Sequence, residues 1–265
     1  MAHFTPRPLP RLMVAPTGAR RGKGDHPALP VTDDEIVETW RACAAAGADG
    51  LHLHIRDTDG QHLLDADHYR ALLARLAPIA PGAYLQVTSE AAGRYSATEQ
   101  QAMVRALRPD HVSVALREMV RDPADWPEAR AFYHWAAEAG VAIQHILYAP
   151  EEMRSFLAAL SAGKVPGIHH QIQLVIGSYA GDPPSFADLE THVALMAGAE
   201  GQSFDWMLCA FGPEETACLV QAARHGGKAR VGFENSLHMA DGRLARDNAE
   251  RVAEVAAAVA EVGGN

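Results

Sequence analysis

Short apolar runs alternate with longer amphipathic segments along the whole chain, and this alternation predicts eight strand–helix units. The predicted strands are 11–15, 51–55, 84–87, 111–114, 142–147, 171–176, 204–209 and 229–231. The predicted helices are 32–46, 66–77, 97–107, one within 127–139, 151–162, 185–197, 214–225 and 244–262. The first helix opens with Thr32-Asp33-Asp34-Glu35, a capping box in which a hydroxyl and a carboxylate satisfy free backbone amides.

Strands that alternate with helical crossovers form a parallel sheet covered by helices. Eight such units in 265 residues favour a closed (β/α)8 barrel, the TIM-barrel fold, over an open doubly wound sheet. The first strand is not followed by G-x-G-x-x-G, which removes the main support for a dinucleotide-binding fold. No Pro/Ser-rich linker divides the chain, so we expect one domain over residues 1–265, with residues 1–10 forming a surface arm.

Composition narrows the functional class. The formal net charge of −10 argues against non-specific nucleic-acid binding, which requires a basic surface. The 3 cysteines are too few for a disulfide scaffold. Because no signal peptide and no apolar stretch of about 20 residues is present, we expect a cytoplasmic protein that does not bind membranes.

The strongest candidate chemistry lies on the second and eighth predicted strands, since barrel active sites form where the strands end. His52 and His54 are two residues apart and face the barrel axis together, with Arg56 further along the row. Glu234 follows strand eight, which neighbours strand one. Alternating histidines also occur in polar networks, but their inward placement beside an acid predicts a metal site made of His52, His54 and Glu234. Two histidines and one carboxylate suit catalytic zinc, and also cobalt, nickel or manganese.

Several segments, strongest at the two ends of the chain, resemble the β-keto acid cleavage enzymes, whose best-known type is 3-keto-5-aminohexanoate cleavage enzyme. They are Pro16-Thr-Gly-Ala19, Ala46-Gly-Ala-x-x-x-His52-Leu-His-Ile-Arg-Asp57, Gly227-x-x-Arg230-Val-Gly-Phe-Glu234 and Gly242-x-Leu-Ala-x-x-Asn248-Ala. The resemblance implies a zinc-dependent barrel that converts a β-keto acid and acetyl-CoA into acetoacetate and an acyl-CoA. It also implies a homo-oligomer, specifically a tetramer.

The same resemblance implies roles for individual residues. The metal ligands of the family map onto His52, His54 and Glu234, and an arginine of its catalytic hydrogen-bond system maps onto Arg230. This chain also keeps the hydroxyl residues that the family has after strand three and in strand four. On this basis we predict two groups of site residues. The catalytic group is Arg230, Thr88, Ser113, Glu90 and Asn235, and the substrate-binding group is Arg20, Ser89 and Arg56.

Three departures from the family pattern concern the substrate and the base. Asn235 stands where the family has an aspartate, and an amide cannot accept a proton as a general base. Glu90 stands where the family has a glycine, so it is either a replacement base or a salt-bridged loop acid. Arg20 replaces the glutamate that meets the amino group of 3-keto-5-aminohexanoate, so we expect a substrate tail that is neutral or anionic.

The sequence is therefore compatible with three functions. The leading one is acetyl-CoA-dependent β-keto acid cleavage. The second is another metal-dependent hydrolase or aldolase on the same scaffold, with Glu90 as base. The third is a non-catalytic metal-bound sensor, because the aspartate of the family is missing. Acetoacetate formation that requires acetyl-CoA distinguishes the first from the other two.

Overall fold

A computed structural model describes residues 4–263, within which eight parallel strands close into a barrel. The strands are β1 (Leu12–Val14), β2 (Gly50–Leu53), β3 (Tyr84–Thr88), β4 (His111–Ala115), β5 (Ala142–Leu147), β6 (His169–Ile176), β7 (Ser203–Ala210) and β8 (Lys228–Val231). Each strand pairs with its neighbour along the chain, and β8 pairs with β1 to close the barrel. The predicted (β/α)8 barrel is therefore confirmed.

Helices follow the strands and cover the outside of the barrel. They are α1 (Asp33–Ala45), α2 (Ala66–Leu76), α3 (Ala97–Leu107), the single turn α4 (Leu116–Met119), α5 (Trp126–Ala139), α6 (Pro150–Ser161), α7 (Phe186–Ala197), α8 (Glu215–Arg224) and α9 (Asn248–Gly263). The capping box of α1 is present, because Thr32 Oγ1 accepts from the Glu35 amide and the Glu35 carboxylate accepts from the Thr32 amide. Within residues 4–263, none of these helices has the length and apolarity that crossing a membrane requires.

Two of the element boundaries that differ from the sequence prediction have a clear local cause. Strand β2 ends at Leu53, and Ile55–Arg56 instead pairs antiparallel with His62–Leu63 in a short hairpin. Helix α9 begins at Asn248 rather than at residue 244, because Leu244 is bridged to His238 and the Asp247 carboxylate accepts from the Glu250 amide at the helix start. Both corrections reflect local hydrogen bonds that hydrophobic periodicity does not register.

The barrel interior changes from apolar at the bottom to polar at the top. Met13, Tyr84 and Met207 form an apolar cluster with Leu9, whose amide donates to Asp205 and whose carbonyl accepts from a lysine. The segment that we expected to be a surface arm is thus buried at residues 9–10 and more exposed at residues 4–8, while residues 1–3 lie outside the described part. Buried glutamines occupy the next layer. The polar end of the barrel lies at the carboxyl ends of the strands.

Gly232 sets the position of the loop that follows β8. Its φ of +144° is one that residues other than glycine rarely adopt, and an added Cβ would overlap the carbonyl of Ala15. This close approach brings the Glu234 amide within 3.1 Å of the Ala15 carbonyl, so the end of β8 is held against β1. A glycine is required here because the two backbones leave no room for a side chain.

We expect Gly232→Ala to lower the free energy of unfolding by about 3 kcal/mol, from backbone strain and overlap with Ala15. Urea unfolding followed by circular dichroism measures the loss. Gly24→Ala is the matched control, because a Cβ at Gly24 meets nothing within 4 Å. A difference of less than about 1 kcal/mol between the two variants would show that Gly232 is not sterically constrained.

Candidate metal-centred active site

Three buried side chains meet at the polar end of the barrel. His52 lies near the end of β2, His54 directly follows that strand, and Glu234 lies in the loop after β8. The two Nε2 atoms are 3.1 Å apart, and Glu234 Oε2 lies 3.6 Å from His52 Nε2 and 3.3 Å from His54 Nε2. The exposed fractions are 1%, 1% and 6%, so water reaches this cluster poorly. These three residues form a buried group that could hold a metal ion.

The unsatisfied atoms of this cluster fit a cation. Within residues 4–263, the buried Glu234 Oε2 meets no hydrogen-bond donor, whereas Oε1 accepts from Arg230 at 2.8 Å. A buried carboxylate oxygen without a donor is unfavourable, and a metal ion bound by this oxygen and the two imidazoles removes that cost. Two nitrogens and one oxygen suit zinc and other divalent transition metals. The residues present therefore fit the metal that the family resemblance implies.

The protonation states also suit metal binding. Burial lowers the pKa of His52 to about 3, so its imidazole is neutral and retains a lone pair. Burial alone would raise the pKa of Glu234, but the nearby Arg230, His52 and His54 hold that pKa well below its usual value. At neutral pH the cluster thus presents the neutral imidazole of His52 and the ionised carboxylate of Glu234.

Arg230 lies behind the His52-His54-Glu234 cluster and donates hydrogen bonds to three side chains there. Its Nη2 donates to Glu234 Oε1 at 2.8 Å, to Cys209 Sγ at 3.2 Å and to Asn235 Oδ1 at 3.3 Å. The sequence analysis did not predict Cys209 as a residue of the site. The only sequence signal was its position at the end of the seventh strand, and the contact depends on how β7 and β8 are paired.

Two side chains hold the loop after β8 in place. The Asn248 amide group accepts from the Phe233 amide at 2.9 Å and donates to the Pro16 carbonyl at 3.2 Å, which links this loop to the end of β1. Arg21 Nη1 donates to the Phe233 carbonyl at 2.6 Å from the other side. Glu234 is therefore placed by hydrogen bonds to its own backbone neighbours as well as by Arg230.

The predicted hydroxyl residues lie together beside the cluster. Thr88 and Ser113 are paired in register between β3 and β4. Thr88 Oγ1 accepts from the Glu90 amide at 3.0 Å, and Ser89 Oγ donates to the Ser113 carbonyl at 2.9 Å. Ser113 Oγ is buried and has no hydrogen-bond partner in the described part of the chain. Thr88 and Ser89 thus shape the loop, whereas the Ser113 hydroxyl remains available to a ligand.

Glu90 reaches the same cluster from the loop after β3. Its Oε2 lies 3.8 Å from His54 Nε2, and burial raises the pKa of this carboxyl group. Its carbonyl accepts from His62 in the short hairpin at 2.8 Å. Within residues 4–263, no arginine or lysine lies within salt-bridge distance of Glu90, which favours a site acid over a salt-bridged loop acid.

Arg56, in the short hairpin, and Arg20, in the loop after β1, contact different groups. The Arg56 guanidinium donates to the carbonyls of Gly18, Arg21 and Gly60 at 2.6–2.9 Å, so it binds the loop after β1. Arg20, on that loop, is exposed and lies over the ring of Tyr179 at 5.3 Å. Tyr179 was not predicted; it comes from the loop after β6, where the sequence carries no recognisable motif.

The comparison with known families fits this geometry. The model of the beta-keto acid cleavage enzymes matches residues 11–265. The chain belongs to this family. The matched range includes the His-x-His and Arg-x-Gly-x-Glu segments that form the buried cluster.

Characterised relatives span nearly the whole chain. A 3-oxoadipate:acetyl-CoA acetyltransferase of Cupriavidus necator is 30% identical over 256 residues, which is 95% of this chain and 89% of that protein. A 3-keto-5-aminohexanoate cleavage enzyme of Fusobacterium nucleatum is 22% identical over 262 residues, covering 95% and 92%. These two members of the β-keto acid cleavage family are named for different substrates, so the family alone leaves the substrate of this chain undefined.

Solved structures support the fold alone. A complex of ObcA with oxaloacetate is similar at a TM-score of 0.64 and 16% identity, covering 89% of this chain. The chain spans only 64% of the length of that protein. A 3-hexulose-6-phosphate synthase is similar at a TM-score of 0.52 and 14% identity, covering 94% of this chain and 99% of that one. Both structures agree with the (β/α)8 fold of this chain.

Glu118, in α4, supports the loop that carries Glu90. Its Oε2 accepts from the Ala91 amide at 3.0 Å. Burial, with a smaller contribution from the negative charge of Glu90, raises the pKa of Glu118 from 4.5 to about 7. The folded protein therefore retains a proton on this carboxyl group over a pH range in which the unfolded chain has lost it.

The stability contribution of protonated Glu118 is complete below pH 4.5 and is lost as pH rises to about 7. Glu118→Gln cannot ionise and keeps an acceptor for the Ala91 amide, so its stability relative to wild type should increase across this pH range. Denaturant unfolding at intervals from pH 4.5 to pH 8 measures the difference, with the exposed Glu138→Gln as control. A difference that is flat with pH would mean that Glu118 is already ionised in the folded protein.

Proposed function

We propose that this protein is a zinc-dependent enzyme that condenses a β-keto acid with acetyl-CoA to give acetoacetate and an acyl-CoA. The observation that carries this proposal is the buried His52-His54-Glu234 cluster in a chain that belongs to the β-keto acid cleavage family. The bond between C2 and the C3 ketone carbon of the β-keto acid breaks, and C2 joins the acetyl carbon. The C3 acyl group takes the CoA sulfur that the acetyl group leaves, so all atoms are conserved.

Zinc, when bound, polarises the ketone oxygen as a Lewis acid and stabilises the charge that develops there. The side chains of the chain itself orient the substrate. Among the described residues, Ser113 Oγ and Asn235 Nδ2 are buried polar atoms without hydrogen-bond partners, so they are the groups that we assign to substrate oxygens. Arg230 keeps Glu234 ionised and holds Asn235 in position through the same guanidinium nitrogen.

Proton removal from C2 of the β-keto acid requires a base, and we assign this role to Glu90. Asn235 cannot accept a proton. The Glu90 carboxylate lies 3.8 Å from His54 Nε2, which places it beside the metal cluster. Thr88 and Ser89 hold the loop of Glu90 through the hydrogen bonds of their hydroxyls, so their contribution is to position this base.

The substrate tail is proposed to carry a second carboxylate. Within residues 4–263, Arg20 has no acidic partner within 4.0 Å, and its guanidinium lies over the Tyr179 ring. Arg56 and Arg21 are already engaged by backbone carbonyls, so Arg20 is the cation of this loop that is available to a ligand. A relative at 30% identity is named for 3-oxoadipate, a β-keto acid that ends in such a carboxylate. The acyl product would then be the CoA thioester of a dicarboxylic acid.

His54→Ala should lose most of a bound metal that amounts to about one ion per chain in the wild type, because two ligands hold a divalent ion far more weakly than three. Elemental analysis after dialysis measures the metal, and acetoacetate formation measures the activity. His134→Ala on α5 is the control, since its ring contacts the Gly163 carbonyl on the outer surface.

Retention of full metal content and activity by His54→Ala would contradict the metal assignment. Product formation in the absence of acetyl-CoA would instead indicate a hydrolase or an aldolase. Binding of β-keto acids without turnover would indicate a sensor.

Arg20→Glu should lower kcat/KM for 3-oxoadipate by about 10- to 100-fold, the value of a hydrogen bond between charged groups. The matched substrates are 3-oxoadipate, 3-oxohexanoate and the analogue that ends in an ammonium group. We expect less than a threefold change for 3-oxohexanoate and an improved rate for the ammonium analogue. Arg130→Glu, exposed on α5, makes the same charge change away from the loop. A wild type that prefers the ammonium substrate, with the order unchanged in Arg20→Glu, would refute the proposed role of Arg20.

A further inference from the structure

A line of buried amides crosses the barrel interior beneath the metal cluster. His52 Nδ1 lies 2.7 Å from Gln86 Oε1, and Gln86 Nε2 donates to Gln144 Oε1 at 2.8 Å. Gln144 Nε2 donates in turn to the backbone carbonyl of Ile172 at 3.3 Å. His52, Gln86 and Gln144 are at most 1% exposed, so water does not compete for these hydrogen bonds.

The direction of every hydrogen bond in this line follows from its last member. A backbone carbonyl can only accept, so Gln144 must turn its NH2 group toward Ile172 and its oxygen toward Gln86. Gln86 must then turn its own NH2 group toward Gln144 and its oxygen toward His52. An amide oxygen also only accepts, so the proton of the neutral imidazole lies on His52 Nδ1.

We propose that Gln86 and Gln144 form a positioning relay that fixes the tautomer of His52. With the proton held on Nδ1, the lone pair of His52 lies on Nε2, the nitrogen that faces His54 and Glu234. In the other tautomer, Nε2 would carry the proton and turn it toward the Glu234 carboxylate. In that arrangement, His52 and Glu234 would hydrogen-bond to each other instead of binding the metal.

The relay is required because a glutamine side chain by itself can present either its oxygen or its NH2 group to a neighbour. Rotation of the Gln86 amide by half a turn would present NH2 to His52 Nδ1 and favour the wrong tautomer. Gln144 prevents this rotation, since the turned Gln86 would bring its oxygen against Gln144 Oε1. The carbonyl of Ile172 on β6 therefore determines, through two side chains, which nitrogen of His52 on β2 is free to bind a metal.

Gln173 provides a matched comparison within the same interior. It is also fully buried, but its Nε2 donates to the carbonyls of Leu174 and Met207 and takes no part in the line to His52. Replacing Gln144 or Gln173 by leucine removes a buried amide of the same size from the barrel in each case. Only the first replacement frees the Gln86 amide.

The experiment measures zinc affinity by chelator competition in Gln144→Leu, in Gln173→Leu and in the double variant Gln144→Leu/Gln86→Glu. We expect Gln144→Leu to bind zinc about 10- to 100-fold more weakly than wild type, the usual effect of losing a partner that orients a metal-bound histidine. Gln173→Leu should remain within about threefold of wild type. The double variant should regain most of the affinity, because a carboxylate at position 86 accepts from His52 Nδ1 in either orientation.

A second readout is independent of metal. The ¹⁵N chemical shifts of the His52 ring in metal-free wild-type protein should show the proton on Nδ1, with a shift toward the other tautomer in Gln144→Leu. A proton on Nε2 in wild type, or equal affinity losses in Gln144→Leu and Gln173→Leu without rescue by Gln86→Glu, would overturn the relay. The inference rests on the proposed zinc site, but a wild type that binds no zinc would refute that site, whereas the ring shifts alone still test the relay.

Discussion

The ion pair between Arg230 and Glu234 is the interaction on which the active end of the barrel depends. Both side chains are almost fully buried, and their closest atoms lie 2.8 Å apart. A buried carboxyl group without a partner takes up a proton, and a protonated acid does not bind a metal ion. The guanidinium keeps Glu234 ionised but uses only one of its oxygens, so the other faces His52 and His54. Loss of one member of such a pair typically costs about 3–5 kcal/mol, so this contact contributes to folding as well as to the arrangement of the candidate metal site.

The second constraint is the close approach of the ends of β1 and β8. Gly232 lets the two backbones approach at Ala15, and the Asn248 side chain links the loops that follow them. Arg56 and Arg21 then donate to backbone carbonyls of these loops rather than to carboxylates. Arginines that hydrogen-bond to carbonyls give fixed loop geometry, which is what a site formed by several separate strands requires. Arg20 differs from both because it is exposed at the edge of the same loop.

The barrel interior serves the site as well as the fold. Below the cluster, Gln86 and Gln144 replace the branched apolar side chains that commonly fill such barrels. Buried amides are tolerated only where their hydrogen bonds are met, and here the chain of donors and acceptors runs from the Ile172 carbonyl to His52. The stability of the barrel interior and the arrangement of the candidate metal site are thus coupled through one hydrogen-bond network.

The sequence by itself determined the barrel. The pattern of apolar and polar residues within each segment already specifies whether that segment forms a strand or a helix, and the alternation of the two specifies the fold. It also indicated His52 and His54, since a two-residue spacing on a strand puts both on one face, and Glu234 by its place after the last strand. Only the tertiary structure decided which groups stand beside them. Cys209, Tyr179, Gln86 and Gln144 lie on other strands or loops, and Arg56 turns to backbone carbonyls that are distant in sequence. These contacts depend on strand register and loop path, which are set by packing across the whole barrel and leave no pattern in any single segment.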